Sequence, residues 1–327
     1  MKFRKTCGVS VAAAVAVSVL AACSSSSSSQ TPIGPLETAN VVVDAFPAID
    51  SAGLFIAQQE GLFKAQGLNV TIKLAASSQQ AITGQLAGTY DVTSADYVTI
   101  IDNVLLDKAP LRIVGESSFL QPNVLTLLTK SGSSVQSIGE LKNKTVSVNA
   151  PKDIGTLLID SVLTEHGVPL NTVKFNNNVQ FPNVGQALAS GQVAAAFTPE
   201  PFVSVTEMAS GAQELADLDQ GATTDFPIQG IAVTSKWASA NPNTLDAFER
   251  AYSEGQEVAD TDRGAVEKAL ESFLGMQPIA AALVSLPSFP TGVDPTRLQR
   301  LVDAMVRFGL LTKKYENFQI SSIIGNG

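Results

Sequence analysis

Short strand-like runs alternate with amphipathic segments along this chain, and one unit of that pattern occurs twice. The first copy starts at Phe46 with FPAIDSAGLFIAQQEGLFKAQG, a helical stretch closed by Gly67. An alternating strand at Val70, Ile72 and Leu74 follows, then polar Ser77-Ser78, a second helix, Gly88, a short strand and the polar turn Ser94 to Tyr97. About a hundred residues later the same order returns. Asp153 to Glu165 reads as helix, then Gly167, strand Val173–Phe175 and polar Asn176–Asn178. Helix Val184–Ala189, Gly191, strand Val193–Phe197 and the turn Thr198-Pro199-Glu200-Pro201 complete the copy. Gly67 matches Gly167 and Gly88 matches Gly191, each where a helix end calls for a left-handed residue.

The remaining pattern places this repeat in two lobes. Val41-Val42-Val43, Leu111–Val114 and Val124–Leu128 are continuous apolar runs, as buried strands require. Asp50 or Ser51 is positioned to cap the helix that Gly61 ends. Thr145–Val148 opens the second lobe, and Gly230–Thr234 reads as a strand returning to the first. Two helices close the chain, with Leu245, Phe248 and Tyr252, and Leu298, Leu301 and Met305, on their apolar faces and Pro242 and Pro295 at their starts. The reading is an α/β protein of two lobes, each a mostly parallel sheet flanked by helices, with a ligand cleft between them. Lobe I covers 36–128 and 229–327, and lobe II covers 129–228. Two crossings of the chain between lobes would act as a hinge.

The first residues fall outside this pattern. Lys2, Arg4 and Lys5 precede the apolar stretch Val9–Leu20, too short to span a bilayer as a helix and fitted to a signal peptide over 1–22. Leu20-Ala21-Ala22-Cys23 resembles the signal of bacterial lipoproteins, which implies cleavage before Cys23 and a diacylglyceryl thioether on its sulfur. Two long acyl chains of the palmitate kind give lasting anchorage where one is marginal. Residues 23–35, with serine at every position from 24 to 29, read as a flexible tether.

Composition then narrows the chemistry. The chain is 45% apolar and 16% charged, ordinary for a protein with a substantial core. Without the leader, eighteen basic residues face thirty acidic ones, a net charge of −12, which argues against nucleic acid as a partner. Cys7 leaves with the leader, so Cys23 is the only cysteine of the mature chain, and His166 is its only histidine. His166 falls at the end of a predicted helix, where it complements the helix dipole. No disulfide, thiolate nucleophile, Ser-His-Asp triad, metal site or cofactor motif is expected.

Polar turns at the carboxyl ends of strands remain, the edge where open α/β sheets bind ligands. They supply the candidate ligand-binding residues Phe46, Asp50, Ser51, Ser77, Ser78, Ser94, Asp96, Tyr97, Asp153, Gly155, Thr156 and Glu200. Ser77-Ser78 and Asp153 to Thr156 also precede helices, whose first N–H groups can meet a ligand oxygen. Glu200, held between Pro199 and Pro201, could offer two acceptors to a ligand N–H pair. These turns bring four carboxylates and, apart from Lys152, no basic residue. A bare anion would be opposed, so a neutral or amine-bearing ligand is expected over nitrate or an alkanesulfonate.

FPAIDSAGLFIAQQEGLFKAQGLNV, QLAGTYDVTSAD, LKNKTVSV, AAFTPEPFV and DPTRLQRLVDAMVRFGLL, in that order, resemble the solute-binding components of ABC importers for nitrate, sulfonates, taurine and thiamine-pathway pyrimidines. The resemblance covers nearly all of the mature chain. It implies a type II periplasmic-binding-protein fold that closes on a small-molecule solute and docks on a membrane permease driven by a cytoplasmic ATPase. It also implies a monomeric, lipid-anchored protein on the extracytoplasmic side of the cell membrane. Relatives often carry an aromatic residue before the Glu-Pro pair, where this chain has Pro199. Enzymes on the same fold are the alternative: sulfinate desulfinases use a cysteine, and pyrimidine-forming enzymes of yeast use a histidine and a cysteine-rich stretch. The mature chain offers neither arrangement. A sensor that binds without transport is the third reading, and a neighbouring permease and ATPase gene would separate it from an importer.

Overall fold

The computed structural model describes residues 34–325. The leader, most of the tether and Cys23 lie outside the described residues. Along the chain run β1 (Asn40–Ala45), α1 (Ala52–Gln59), α2 (Leu62–Ala65), β2 (Asn69–Leu74), α3 (Ser78–Leu86), β3 (Val92–Asp96), α4 (Tyr97–Leu105), β4 (Leu111–Phe119) and β5 (Leu125–Thr129). Next come β6 (Thr145–Ser147), α5 (Ile154–Glu165), β7 (Lys174–Asn176), α6 (Val184–Ala189), β8 (Ala195–Pro199), α7 (Phe202–Ser210) and β9 (Gln213–Asp217). The chain ends with β10 (Pro227–Thr234), α8 (Ser235–Ala240), α9 (Pro242–Thr261), α10 (Arg263–Leu274), α11 (Pro278–Ala281) and α12 (Pro295–Arg307).

Two five-stranded sheets result, ordered β2-β1-β3-β10-β4 and β7-β6-β8-β5-β9. Both are mixed yet mostly parallel as expected, four of the five strands in each running the same way. In the first, β1 runs parallel to β2 and β3, but β10 is antiparallel to β3 and β4. The second repeats this with β6 parallel to β7 and β8, and β5 antiparallel to β8 and β9. The reversed strand in each sheet is the one that has just arrived from the other sheet.

Strand pattern follows position in the sheet. Central β3, β5 and β8 are buried at every residue, whereas edge strand β2 is mostly exposed. The four repeat glycines all have positive φ: 81° and 69° at Gly67 and Gly167, 79° and 74° at Gly88 and Gly191. A residue with a Cβ would be strained at each. Pro242 and Pro295 occupy the first turns of α9 and α12, where the missing N–H breaks no helix bond.

The chain passes between sheets at 120–124 and 218–226, where the two passages lie side by side. Leu120 N–H donates to the Phe226 carbonyl at 2.8 Å, and Leu218 N–H to the Leu125 carbonyl at 3.0 Å. Strand β5, expected at the end of the first lobe, pairs within the second sheet. Its apolar run specifies a buried strand but carries no mark of which sheet it joins.

Candidate functional site

The facing edges of the two sheets line a cavity of about 40 Å³. From the first sheet its lining includes Phe46, Asp50, Ser78, Asp96, Ile228 and Gln229; from the second, Leu125, Asn149, Asp153, Ile154, Phe181, Phe197 and Pro199. Each segment arrives there for a topological reason. Parallel strands β1, β3, β6 and β8 deliver their carboxyl ends to this edge. The antiparallel strands β10 and β5 deliver their amino ends, which brings Ile228, Gln229 and Leu125.

Three carboxyl groups line the cavity, and no lysine, arginine or histidine does. Asp96 caps α4, its Oδ1 accepting from Thr99 N–H at 2.9 Å and its Oδ2 from the Thr99 hydroxyl at 2.6 Å. Asp153 caps α5 in the same way, accepting from Thr156 N–H and the Thr156 hydroxyl at 3.1 and 3.3 Å, and from Ala150 N–H at 3.1 Å. Asp50 accepts from the Ser118 hydroxyl at 2.6 Å. Burial dominates all three. It pushes Asp153 up to about 7, with the neighbouring Asp96 charge adding to the rise, and Asp50 up to about 6 against the pull of Ser118. Asp96 is also raised by burial, opposed by Thr99, Ser78 and the Ile154 N–H at the start of α5. Carboxylates from both lobes thus meet at one helix N-terminus, the position an anionic ligand would otherwise take.

A neutral network sits beside them. Gln229 Nε2 donates to the Ser94 hydroxyl at 2.7 Å and the Ser51 hydroxyl at 3.2 Å, and Ser51 donates to the Phe46 carbonyl at 2.8 Å. Aromatic rings close the cavity across the lobes: Phe46 meets Phe181 edge to face at 6.0 Å, and Phe181 contacts Phe197 and Phe202 at 6.0 and 5.5 Å.

Of the sequence candidates, Phe46, Asp50, Ser78, Asp96 and Asp153 line the cavity. Ser51 and Ser94 lie one layer behind it, through Gln229. Ser77 caps α3, accepting from Gln80 N–H at 3.2 Å, while neither Asp50 nor Ser51 caps α1. Tyr97 turns into the core, where its hydroxyl donates to the Gly115 carbonyl at 3.4 Å and its ring packs on Gly230, which has no Cβ to obstruct it. Gly155 lets α5 approach the Phe197 ring, which an added Cβ would meet at 2.7 Å. Thr156 spends its donors on Asp153.

Glu200 differs most from expectation. Its carboxylate accepts from the Ser204 hydroxyl at 2.7 Å, from Ser204 N–H at 3.1 Å and from Ser285 N–H at 2.9 Å. Ser285 lies in the loop that bridges to β4 through Ser288, so the bond joins the two lobes. Glu200 is buried, and it faces this latch instead of the cavity.

Sequence reasoning missed Gln229, Asn149 and the rings of Phe181 and Phe197. Gln229, Ile228 and Leu125 stand at the amino ends of antiparallel strands, outside the carboxyl-end turns that mark a ligand edge in a parallel sheet. A polar residue inside the apolar run Pro227–Val233 was the available signal for Gln229.

Two mixed α/β sheets that meet across a cavity, joined by paired crossings, define a periplasmic-binding-protein fold of type II. The chain belongs to the NMT1/THI5-like family, whose model matches residues 48–262. It is similar in structure to the alkanesulfonate-binding protein SsuA of Xanthomonas axonopodis pv. citri bound to MOPS, at 18% identity and a TM-score of 0.75, over 88% of this chain and 98% of that one. The periplasmic nitrate-binding protein NrtA of Synechocystis PCC 6803 aligns at 14% identity and TM-score 0.75, over 90% and 88% of the two chains. A DszB mutant in complex with biphenyl-2-sulfinic acid aligns at 15% identity and TM-score 0.60, over 83% and 93%. Among curated protein sequences none matches this chain.

Proposed function

We propose that this protein is the extracytoplasmic solute-binding component of an ABC importer, closing its lobes on a small neutral or amine-bearing solute and delivering it to a permease. The observation that carries the reading is the charge of the cavity, three buried carboxyl groups with no basic side chain among the lining residues. A sulfonate or nitrate, the ligand classes in the names of two structural neighbours, would enter against those charges. An ammonium or an amino-heterocycle would relieve them through charge-assisted bonds worth about 1.5–3 kcal/mol each. Neither cysteine nor histidine lines the cavity, which supports binding over catalysis. Lipidation at Cys23 would hold the protein at the membrane surface. Among the described residues no helix is long and apolar enough to cross a membrane.

The test is a thermal-shift panel of taurine, aminopyrimidines, alkylamines, alkanesulfonates and nitrate on the tag-free mature chain. A ligand at a hundredfold excess over its Kd adds about 2.7 kcal/mol of stability. Stabilisation by an amine or aminopyrimidine, reduced at least tenfold in affinity by Asp50→Asn, is expected. Tight binding of nitrate or a simple alkanesulfonate, unaffected by that substitution, would reject the ligand class. Retention of a lipid on a Cys23→Ser variant would reject the anchor.

A further inference from the structure

A second, larger hollow adjoins the cavity. Its volume is about 580 Å³, and it is open to solvent. Its walls come from both lobes: Pro47, Leu74 and Ile279 on one side, Phe202, Val205 and Met208 on the other. None of its lining residues is charged, and Gln277 is the only one with a polar side chain. Leu74, Met208 and Ile279 are 51%, 53% and 69% exposed, an unusual density of large apolar groups facing water at one place.

Continuity with the inner cavity indicates what this groove holds. Phe46 lines the cavity and Pro47 the groove; Phe181 lines the cavity and Pro182 the groove; Pro199 lines the cavity and Pro201 the groove. The Phe46–Phe181 pair of the cavity, with Phe202 of the groove against Phe181, lies where the two linings adjoin. The pair spans the lobes, so a modest opening of the cleft would part it and join the spaces. Small-molecule sites are mostly apolar with a few placed polar groups; the cavity holds the placed polar groups, Asp50, Asp96, Asp153 and Gln229, and the groove would extend its apolar part.

We infer that the groove is the second half of the binding site, and that the solute carries an uncharged apolar tail, aliphatic or aromatic, which leaves the cavity between Phe46 and Phe181 and lies along Phe202, Val205 and Met208. This rests on the amine-head reading for the cavity. Because the walls belong to different lobes, the tail also bridges them and favours the closed form.

Calorimetry with a homologous series, n-butylamine to n-decylamine and the matching n-alkanesulfonates, separates the two claims. Each methylene that enters the groove is expected to tighten binding about fourfold, ~0.8 kcal/mol. The exposed-site variants Met208→Ser and Ile279→Ser should flatten that dependence while leaving n-butylamine affinity and the melting temperature unchanged. The neutral dye N-phenyl-1-naphthylamine should brighten with the wild type and be displaced by decylamine. Amines that bind without chain-length dependence would overturn the groove and leave the head-group reading intact. Sulfonates that show the dependence while amines do not bind would retain the groove and reject the amine head. Failure of every member and of the dye overturns the inference. So does a concentration-dependent dimer abolished by Ile279→Ser, which would give the groove to a second copy. Loss of cellular uptake in these variants with the chain-length dependence intact would give it to the permease and likewise overturn the inference.

Discussion

Replacing Asp153 by asparagine isolates the electrostatic cost of the closed, ligand-free cavity. Asparagine caps a helix about as well as aspartate, so the bonds from Thr156 and Ala150 to the side-chain oxygen can persist while the charge is lost. Burial and the facing Asp96 lift Asp153 from the ordinary 3.8 to about 7. At about 1.36 kcal/mol per pH unit this corresponds to a ceiling of about 4 kcal/mol. Opening of the cleft rehydrates both carboxylates, which limits the realised cost to about 1–2 kcal/mol. The sign follows from proton uptake. The folded state holds the Asp153 proton more tightly than the unfolded chain, so the wild type is favoured in acid and loses stability as pH rises from about 4 to about 7. The Asp153→Asn variant has no such loss. Denaturation of ligand-free protein at pH 4.5, 6 and 8 should show the variant gaining on the wild type across that window, reaching a few °C in melting temperature at pH 8. The gain should hold level at higher pH. A difference that is the same at all three pH values would refute the reasoning, because it would reduce Asp153 to a cap and leave no buried charge to offset a cationic ligand.

Glu200→Ala should remove the interlobe latch to Ser285 and leave the Ser204 and Ser285 N–H groups without an acceptor, costing about 2–3 kcal/mol. Small-angle scattering should show a more open ligand-free form, with Glu200→Gln closer to wild type, and unchanged scattering and melting would reject the latch. Gly255→Ala should destabilise by about 1–3 kcal/mol in urea titration, since a methyl there would run into the Gly53 carbonyl and come within 2.8 Å of Ala57 Cβ, where α9 crosses α1. Stabilisation instead, as helix propensity alone would give, would mean that the helices separate freely.

The order of elements was legible in the sequence because it depends on local chemistry. Periodicity located Val184–Ala189 as a helix, and the four glycines marked helix ends that need positive φ whatever the surroundings. Asp153 could be placed at a helix start and Asp96 in a polar turn after a strand, and so at the sheet edge, for the same local reason. Only tertiary structure decided which sheet β5 joins, since a fully buried strand presents the same apolar run to any neighbour. It also decided that β10 and β5 run antiparallel, and thereby that Gln229 and Leu125 reach the cavity by their strands' amino ends. Glu200 makes the same point from the other side. Its flanking prolines announce a fixed carboxylate, but what that carboxylate faces, a ligand or Ser285, depends on a loop eighty-five residues away. Local sequence sets the direction of the backbone, while the partner of a buried polar group is chosen by whatever the completed fold brings within hydrogen-bond reach.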